Sequence, residues 1–220
     1  MIEFTTTAVN RPEVLDKTYS SFRKNLLGVD MSECTLNINI DPIPDGDRQG
    51  VIDVCNKYFK ETRCNLPDEP NFTNAYSWIF SSARTDVIFN LEDDWQLIKP
   101  VDISPFIEML RNNEELMEVA LRAYVYDYET LPLSPSLMHR RYYGAIAGNL
   151  DSSKSPEIQL RGEKFGIVMP CKKSGIGPKG RLIVHPKKEI VLKDLGRNWI
   201  AGTKFSRPKR KCDFTTWVKQ

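Results

Sequence analysis

The sequence predicts an α/β fold in which a mixed, mostly parallel sheet is flanked by helices. Three observations carry this expectation. Apolar runs of strand length alternate, over the first ninety residues, with stretches whose apolar side chains recur every three or four positions. Breakers stand between them, among them Pro12 and Pro42. With 220 residues and a hydrophobic fraction of 40%, the chain has enough apolar material for one such domain with a real core.

Taken in order, Ile2–Val9 alternates apolar residues with Thr and reads as the first strand. Asn10-Arg11-Pro12 ends it, and Pro12 suits the first turn of a helix whose apolar positions are Val14, Leu15, Tyr19, Phe22 and Leu26. Thr35–Ile40 alternates with period two, a half-buried strand ending at Asp41-Pro42. Val51–Phe59 is helical again, Asn71–Ala83 is a helix rich in aromatic residues, and Asp86–Leu91 is a strand. This β-α-β-α-α-β order implies parallel strands with helices packed on them. Further on, Ile103–Met117 reads as one helix, Val119–Tyr126 as a strand and Pro132–Pro135 as a loop. Arg140-Arg141-Tyr142-Tyr143 is a basic and aromatic patch. Ser155 and Pro156 mark a helix start, and a Lys-rich loop with Gly175, Gly177 and Gly180 precedes the short strand Leu182–His185.

The most informative stretch is Val87 to Trp95. A strand-length apolar run delivers Glu92, Asp93 and Asp94 to one point, and Trp95 follows. Adjacent like charges repel and strands are depleted in acids, so local stability does not account for the cluster. A hard divalent cation does: Mn²⁺ or Mg²⁺ takes carboxylate oxygens and leaves coordination positions for phosphate. A solvated acidic turn is the plain alternative. Ligands of parallel sheets gather at the carboxyl ends of strands. Asn10-Arg11, Asp41 and the acidic triplet are all expected at such ends.

Composition narrows the classes further. No apolar run approaches the ~18 residues that would span a bilayer, and Met1-Ile2-Glu3-Phe4 lacks the basic and apolar pattern of a secretory signal. Five scattered cysteines without a Cys-x-x-Cys pair argue against a zinc site or a disulfide framework, which points to a reducing cytoplasm. The net charge of +2 conceals an asymmetry: residues 1–153 carry 14 Lys and Arg against 24 Asp and Glu, and residues 154–220 carry 17 against 5. The basic third faces something anionic, either a partner or the acidic part of the same chain.

The run Thr5-Thr6-Thr7-Ala8-Val9-Asn10-Arg11-Pro12-Glu13-Val14-Leu15, with Thr18 and Ser21, resembles the opening of a GT-A-fold glycosyltransferase. Glu92-Asp93-Asp94-Trp95 is similar to the Asp-x-Asp-type motif of that fold. Ser134-Pro135-Ser136, Pro156-Glu157, Asp194-Leu195-Gly196-Arg197 with Trp199, and Phe214-Thr215-Thr216-Trp217 resemble small glycosyltransferases of viruses and bacteriophages. The resemblance implies a GT-A, Rossmann-like core over residues 1–153 that binds a nucleotide sugar, a UDP-sugar foremost. Residues 154–220 would form a basic acceptor-side segment of the same domain. It assigns Mn²⁺ or Mg²⁺ to Asp94, and donor contacts to Thr6, Asn10, Arg11, Asp41, Glu92, Asp93 and Arg197. A further metal ligand is either His185 or Asp194. An inverting transfer needs a base near the acceptor hydroxyl. Glu157 resembles that residue, with Asp127 and Glu129 as alternatives.

For the acceptor, the basic clusters exceed what one diphosphate requires. Arg140, Arg141, Lys209, Arg210 and Lys211, with Trp199, Phe205 and Trp217 among the basic residues, suit a nucleic-acid backbone and an unstacked base. The expectation is transfer of a hexosyl or pentosyl group to a hydroxymethylated pyrimidine, 5-hydroxymethylcytosine, in phage DNA, by a monomer or weak dimer in the host cytoplasm. Protein, glycan and lipid acceptors stay open. So do a metal-dependent nuclease or phosphotransferase and a non-catalytic DNA-binding protein.

Overall fold

The computed structural model describes residues 2–114, 116–121, 134–156, 159, 182–184, 190–202, 205–206 and 218–219. Glu157, His185, Lys209, Arg210, Lys211, Asp127, Glu129 and Trp217 lie outside the described residues. So do the glycine-rich loop and the part of the expected strand beyond residue 121.

The strands are Glu3–Val9 (β1), Leu26–Leu27 (β2), Thr35–Asp41 (β3), Glu61–Asn65 (β4), Val87–Glu92 (β5), Trp95–Leu97 (β6), Val101–Asp102 (β7), Leu116–Ala120 (β8), Ser136–His139 (β9), Leu182–Val184 (β10), Leu192–Asp194 (β11), Phe205–Ser206 (β12) and Val218–Lys219 (β13). The helices are Pro12–Asn25 (α1), Arg48–Tyr58 (α2), Phe72–Ser82 (α3), Ser104–Asn112 (α4), Arg140–Ile146 (α5) and Gly196–Gly202 (α6). Among the described residues, seven strands form the main sheet in the order β10-β8-β9-β5-β1-β3-β4. The pairs β4–β3, β3–β1, β1–β5 and β8–β10 are parallel, and β9 alone runs against its neighbours β5 and β8. This is the mixed, mostly parallel sheet the sequence predicts.

Helices cover both faces. On one, Leu15, Tyr19 and Phe22 of α1, Val51 and Cys55 of α2, and Ile107 and Leu110 of α4 pack on Phe4, Leu36, Ile38 and Phe89. On the other, Tyr76, Ile79 and Phe80 of α3 meet Tyr142, Tyr143 and Ile146 of α5 over Ile88 and Met138. The basic and aromatic patch expected at residues 140–143 is therefore split: α5 buries both tyrosines and exposes both arginines.

Three departures from the sequence expectation have physical causes. The strand over Thr35–Ile40 is buried on both faces, not half-buried. Its polar positions lie under α3, where Thr5 Oγ1 donates to Asn90 Oδ1 at 2.9 Å and Asn65 Nδ2 donates to Asn39 Oδ1 at 2.6 Å. Cross-strand pairing thus replaces solvent as the partner of Asn39, while Asn37, equally buried, makes no side-chain hydrogen bond among the described residues. The helix expected over Ile103–Met117 stops at Asn112, and Leu116 and Met117 start β8. Their apolar character fits a strand interior as well as a helix face, which periodicity alone does not separate. Finally, β4 (Glu-Thr-Arg-Cys-Asn) is a short edge strand with charged residues, a composition that protects sheet edges and hides them from pattern reading.

Glu118 is the one fully buried acid of the sheet whose carboxyl oxygens, among the described residues, make no hydrogen bond of ordinary geometry. Burial pushes its carboxyl up to about 8, against a small opposing pull from the Ser136 hydroxyl. The folded chain then holds a proton that the unfolded chain releases, so stability is greatest below the ordinary glutamate range and falls as pH rises through about 8. The slope is about 1.4 kcal/mol per pH unit. Glu118→Gln removes it. Urea denaturation at pH 5 and pH 8.5 should show the variant gaining on the wild type by roughly 2 kcal/mol or more at the higher pH. A constant difference between the two would contradict the assignment.

Candidate active site

The site is built where β1, β3 and β5 end. The parallel register sets Val9 beside Asp41 and Thr7 beside Glu92, so the loops after all three strands open at one edge. The Asp93 N–H donates to the Thr7 carbonyl at 3.2 Å, and Thr18 Oγ1 of α1 donates to the Asp93 carbonyl at 2.7 Å. The backbone at the triplet is thereby fixed from both sides.

Each acid of the triplet has a different environment. Glu92 accepts from Tyr76 Oη at 3.0 Å on one oxygen and from Trp95 Nε1 at 3.1 Å on the other, while its N–H donates to Ser134 Oγ at 2.7 Å. Asp93 is buried and receives Arg11 as a fork: Nε to Oδ2 at 2.9 Å and Nη2 to Oδ1 at 2.8 Å. The Val9 N–H adds a third donor at 3.1 Å. Asp94 Oδ2 shares the Nη2 of the same guanidinium at 3.0 Å. Burial first, then the charges of Asp93 and Asp194, push the Asp94 carboxyl up to about 6, with Arg11 opposing. Burial works against the Arg11 charge, but Asp93 and Asp94 outweigh it and hold that proton more tightly than usual.

Asp194 arrives from a hundred residues away. The antiparallel pair β6–β11 sets Asp194 opposite Trp95, and the Leu195 N–H donates to the Asp94 carbonyl at 2.7 Å. Arg197 turns back on Asp194, with Nε to Oδ2 at 3.1 Å, and its side chain is largely exposed. From α6, Trp199 lays its ring 5.0 Å from the Arg11 guanidinium and donates Nε1 to Glu13 Oε1 at 3.1 Å. Gly196 makes this approach feasible, since a Cβ there would come within 2.1 Å of Asp94 Oδ2.

The remaining expected donor residues are placed unequally. Asp41 is buried at the end of β3 and accepts from Asn39 Nδ2 at 2.8 Å; burial pushes its carboxyl up to about 6. Asn10 is a staple between two loops, taking the Ile43 N–H on Oδ1 at 2.7 Å while its carbonyl accepts from the Asp47 N–H at 2.9 Å. Thr6 faces the other way, into the α1 layer, where Tyr19 Oη donates to its hydroxyl at 3.1 Å. Arg140 and Arg141 are not brought to this site. His139 pairs with Val87 at the start of β5, so both arginines sit roughly 17 Å from the triplet at ~3.3 Å per strand residue. Arg141 Nη2 there donates to the carbonyls of Leu110 and Asn113. Glu13, Thr18 and Gly196 stand in the stretches that carry the resemblance but were given no role there, and Tyr76 is a contributor that the sequence did not single out.

The residues fit a divalent cation in one particular mode. Among the described residues no three His, Cys, Asp or Glu side chains form a cage of their own. Instead, Asp94 offers hard oxygens beneath a glycine backbone that leaves space no other residue would leave, with Asp194 acting on it electrostatically. One or two carboxylates completed by water and substrate phosphate is how Mg²⁺ is commonly held.

No protein-family model matches the chain, and no curated protein matches it. Solved structures do. The mannosyltransferase PcManGT from Pyrobaculum calidifontis, solved with GDP-Man and Mn²⁺, aligns at a TM-score of 0.56 and 8% identity over 85% of this chain and 58% of that one. TarS 1–349 from S. aureus aligns at 0.52 and 11% identity over 84% and 59%, and it has also been solved with UDP-GlcNAc. HddC from Yersinia pseudotuberculosis aligns at 0.52 and 12% identity over 89% and 94%. The chain thus spans less than two thirds of TarS 1–349 and PcManGT and nearly all of HddC. At these identities what is shared is the fold.

Gly196→Ala tests the packing of α6 on the triplet. The added methyl must displace Asp94 or lift α6, so urea denaturation should show a loss of about 1–3 kcal/mol. Wild-type stability in that variant would mean that the approach of Gly196 to Asp94 is not a constraint.

Proposed function

We propose that this chain is a metal-dependent glycosyltransferase that moves a sugar from a nucleoside-diphosphate donor to a hydroxyl acceptor. The observation that carries the reading is the position of Asp94. A half-buried carboxylate that shares one guanidinium nitrogen with its neighbour stands at the joint carboxyl edge of β1, β3 and β5, in a fold shared with structures bound to GDP-Man and UDP-GlcNAc. A divalent ion bound there supplies charge stabilisation for a diphosphate leaving group. The chain's own residues do the rest. Asp94 would hold the ion, Asp194 is the described candidate for a second ligand, and Asp41, at the end of β3, would meet the nucleoside. Arg11 fixes Asp93 and keeps the loop after β1 closed on the triplet. His185 remains a candidate ligand and Glu157 the candidate base that takes the acceptor proton, with inversion at the sugar carbon.

For the acceptor we favour a hydroxymethylated pyrimidine, 5-hydroxymethylcytosine in DNA, in line with the resemblance to bacteriophage enzymes and the excess of 17 Lys and Arg over 5 Asp and Glu in residues 154–220. Lys209, Arg210 and Lys211 are the proposed backbone contacts. Arg140 and Arg141, at the far end of β5, would touch only a partner that wraps the sheet. Described helices include none long and apolar enough to cross a membrane.

Nucleoside diphosphate release from a panel of nucleotide sugars with Mn²⁺ tests the reaction. Asp94→Ala should lower release at least a hundredfold, the scale of losing a transition-state charge stabiliser, while leaving thermal unfolding cooperative. Retained release would remove Asp94 from the site. Neutralising Lys209, Arg210 and Lys211 together should abolish transfer to hydroxymethylcytosine DNA and flatten its salt dependence, read by label incorporation. Unchanged incorporation would redirect the acceptor to a protein, glycan or lipid.

A further inference from the structure

One arginine holds two neighbouring aspartates, and it holds them unequally. Asp93 takes two nitrogens of the guanidinium, at 2.9 and 2.8 Å, and the Val9 N–H as well. Asp94 takes a share of Nη2 at 3.0 Å. The Asp93 backbone is pinned through Thr7 and Thr18, so the fork on Asp93 is set by the fold. The far side of the guanidinium is limited by the Trp199 ring, itself anchored to Glu13. One positive charge therefore answers a buried aspartate, Asp93, and a half-buried one, Asp94, with a third, Asp194, acting on Asp94 from the next strand pair. Nη2 can leave Asp94 without breaking the Nε contact to Asp93; leaving Asp93 would break both arms of the fork.

We infer that Arg11 is a built-in counter-cation that holds Asp93 permanently and Asp94 exchangeably, so that a divalent ion reaching Asp94 must displace the Nη2 contact. The inference rests on the metal-dependent reading above and adds to it a competitor within the chain. Asp93 is then a positioning residue. By keeping the guanidinium on its own side, it limits how firmly Arg11 can occupy Asp94. Removing Arg11 and removing Asp93 should consequently have opposite effects on metal affinity, which a purely structural role for the pair would not produce.

The test is Mn²⁺ titration of the full chain, followed by loss of the free-ion electron paramagnetic resonance signal, with and without UDP. Arg11→Gln should bind Mn²⁺ more tightly than the wild type, on the order of tenfold, the size of one charge-assisted hydrogen bond. Asp93→Asn should bind it more weakly by a similar factor, because the freed fork moves onto Asp94. If Arg11→Gln fails to fold, Arg11→Met combined with Asp93→Leu removes the pair without stranding a buried charge and should show the same tightening. Shifts in the same direction for Arg11→Gln (or the double variant) and Asp93→Asn, or no shift, overturn the counter-cation while leaving the metal reading in place. Absence of Mn²⁺ binding by every one of these chains, with or without UDP, overturns both.

Discussion

The buried fork of Arg11 on Asp93 is the interaction on which the rest of the site depends. It ties the loop after the first strand to the turn after the fifth, 82 residues later. Without Arg11, Asp93 would be an uncompensated buried charge, and such losses cost about 3–5 kcal/mol. With it, three consecutive acids become tolerable, because each is answered differently. Glu92 is satisfied by Tyr76 and Trp95, Asp93 by the fork and the Val9 N–H, and Asp94 by a shared nitrogen. α1 starts at Pro12, whose fixed φ suits a first helical position. Arg11 before it carries donors only and cannot cap the helix N-terminus, and its guanidinium goes to the aspartates.

The second device is the return of the chain at residues 191–202. Two short strands, β6 and β11, pair over three residues each and set α6 against the triplet. That placement supplies Asp194, the glycine backbone over Asp94 and the indole over Arg11. The acidic first part of the chain and a segment of its basic last third thus meet at one edge of the sheet. Arg197 pairs with Asp194 inside this return, so that ion pair lies wholly within the basic third.

Much of the fold was legible in the sequence because its strands and helices carry strong period-two and helical patterns, as Ile2–Val9 and the helix after Pro12 show. The acid triplet was legible because like charges at a strand end have no local rationale. What escaped was set by tertiary context. Asn39 lies in a strand read as half-buried, yet it is buried and pairs across strands under α3, as Thr5 and Asn90 do beside it. Asn10 read as a ligand contact and is held as a loop staple by Ile43. Arg140 and Arg141 read as part of a binding surface, but the antiparallel course of β9 carries them to the opposite end of β5. No local pattern reports the direction of a strand. Likewise, the approach of Gly196 to Asp94 depends on β6–β11 pairing across about a hundred residues, which short-range patterns do not encode.

The central claim is that Asp94 presents a metal ion to a nucleoside diphosphate, and calorimetric titration tests it most directly. UDP and GDP would be titrated into the wild type and Asp94→Asn, each with and without Mn²⁺. The account predicts that Mn²⁺ strengthens binding of at least one nucleotide to the wild type by tenfold or more, equivalent to about 1.4 kcal/mol, and that Asp94→Asn loses this gain. Equal binding with and without the ion, or a gain that survives in Asp94→Asn, would contradict it.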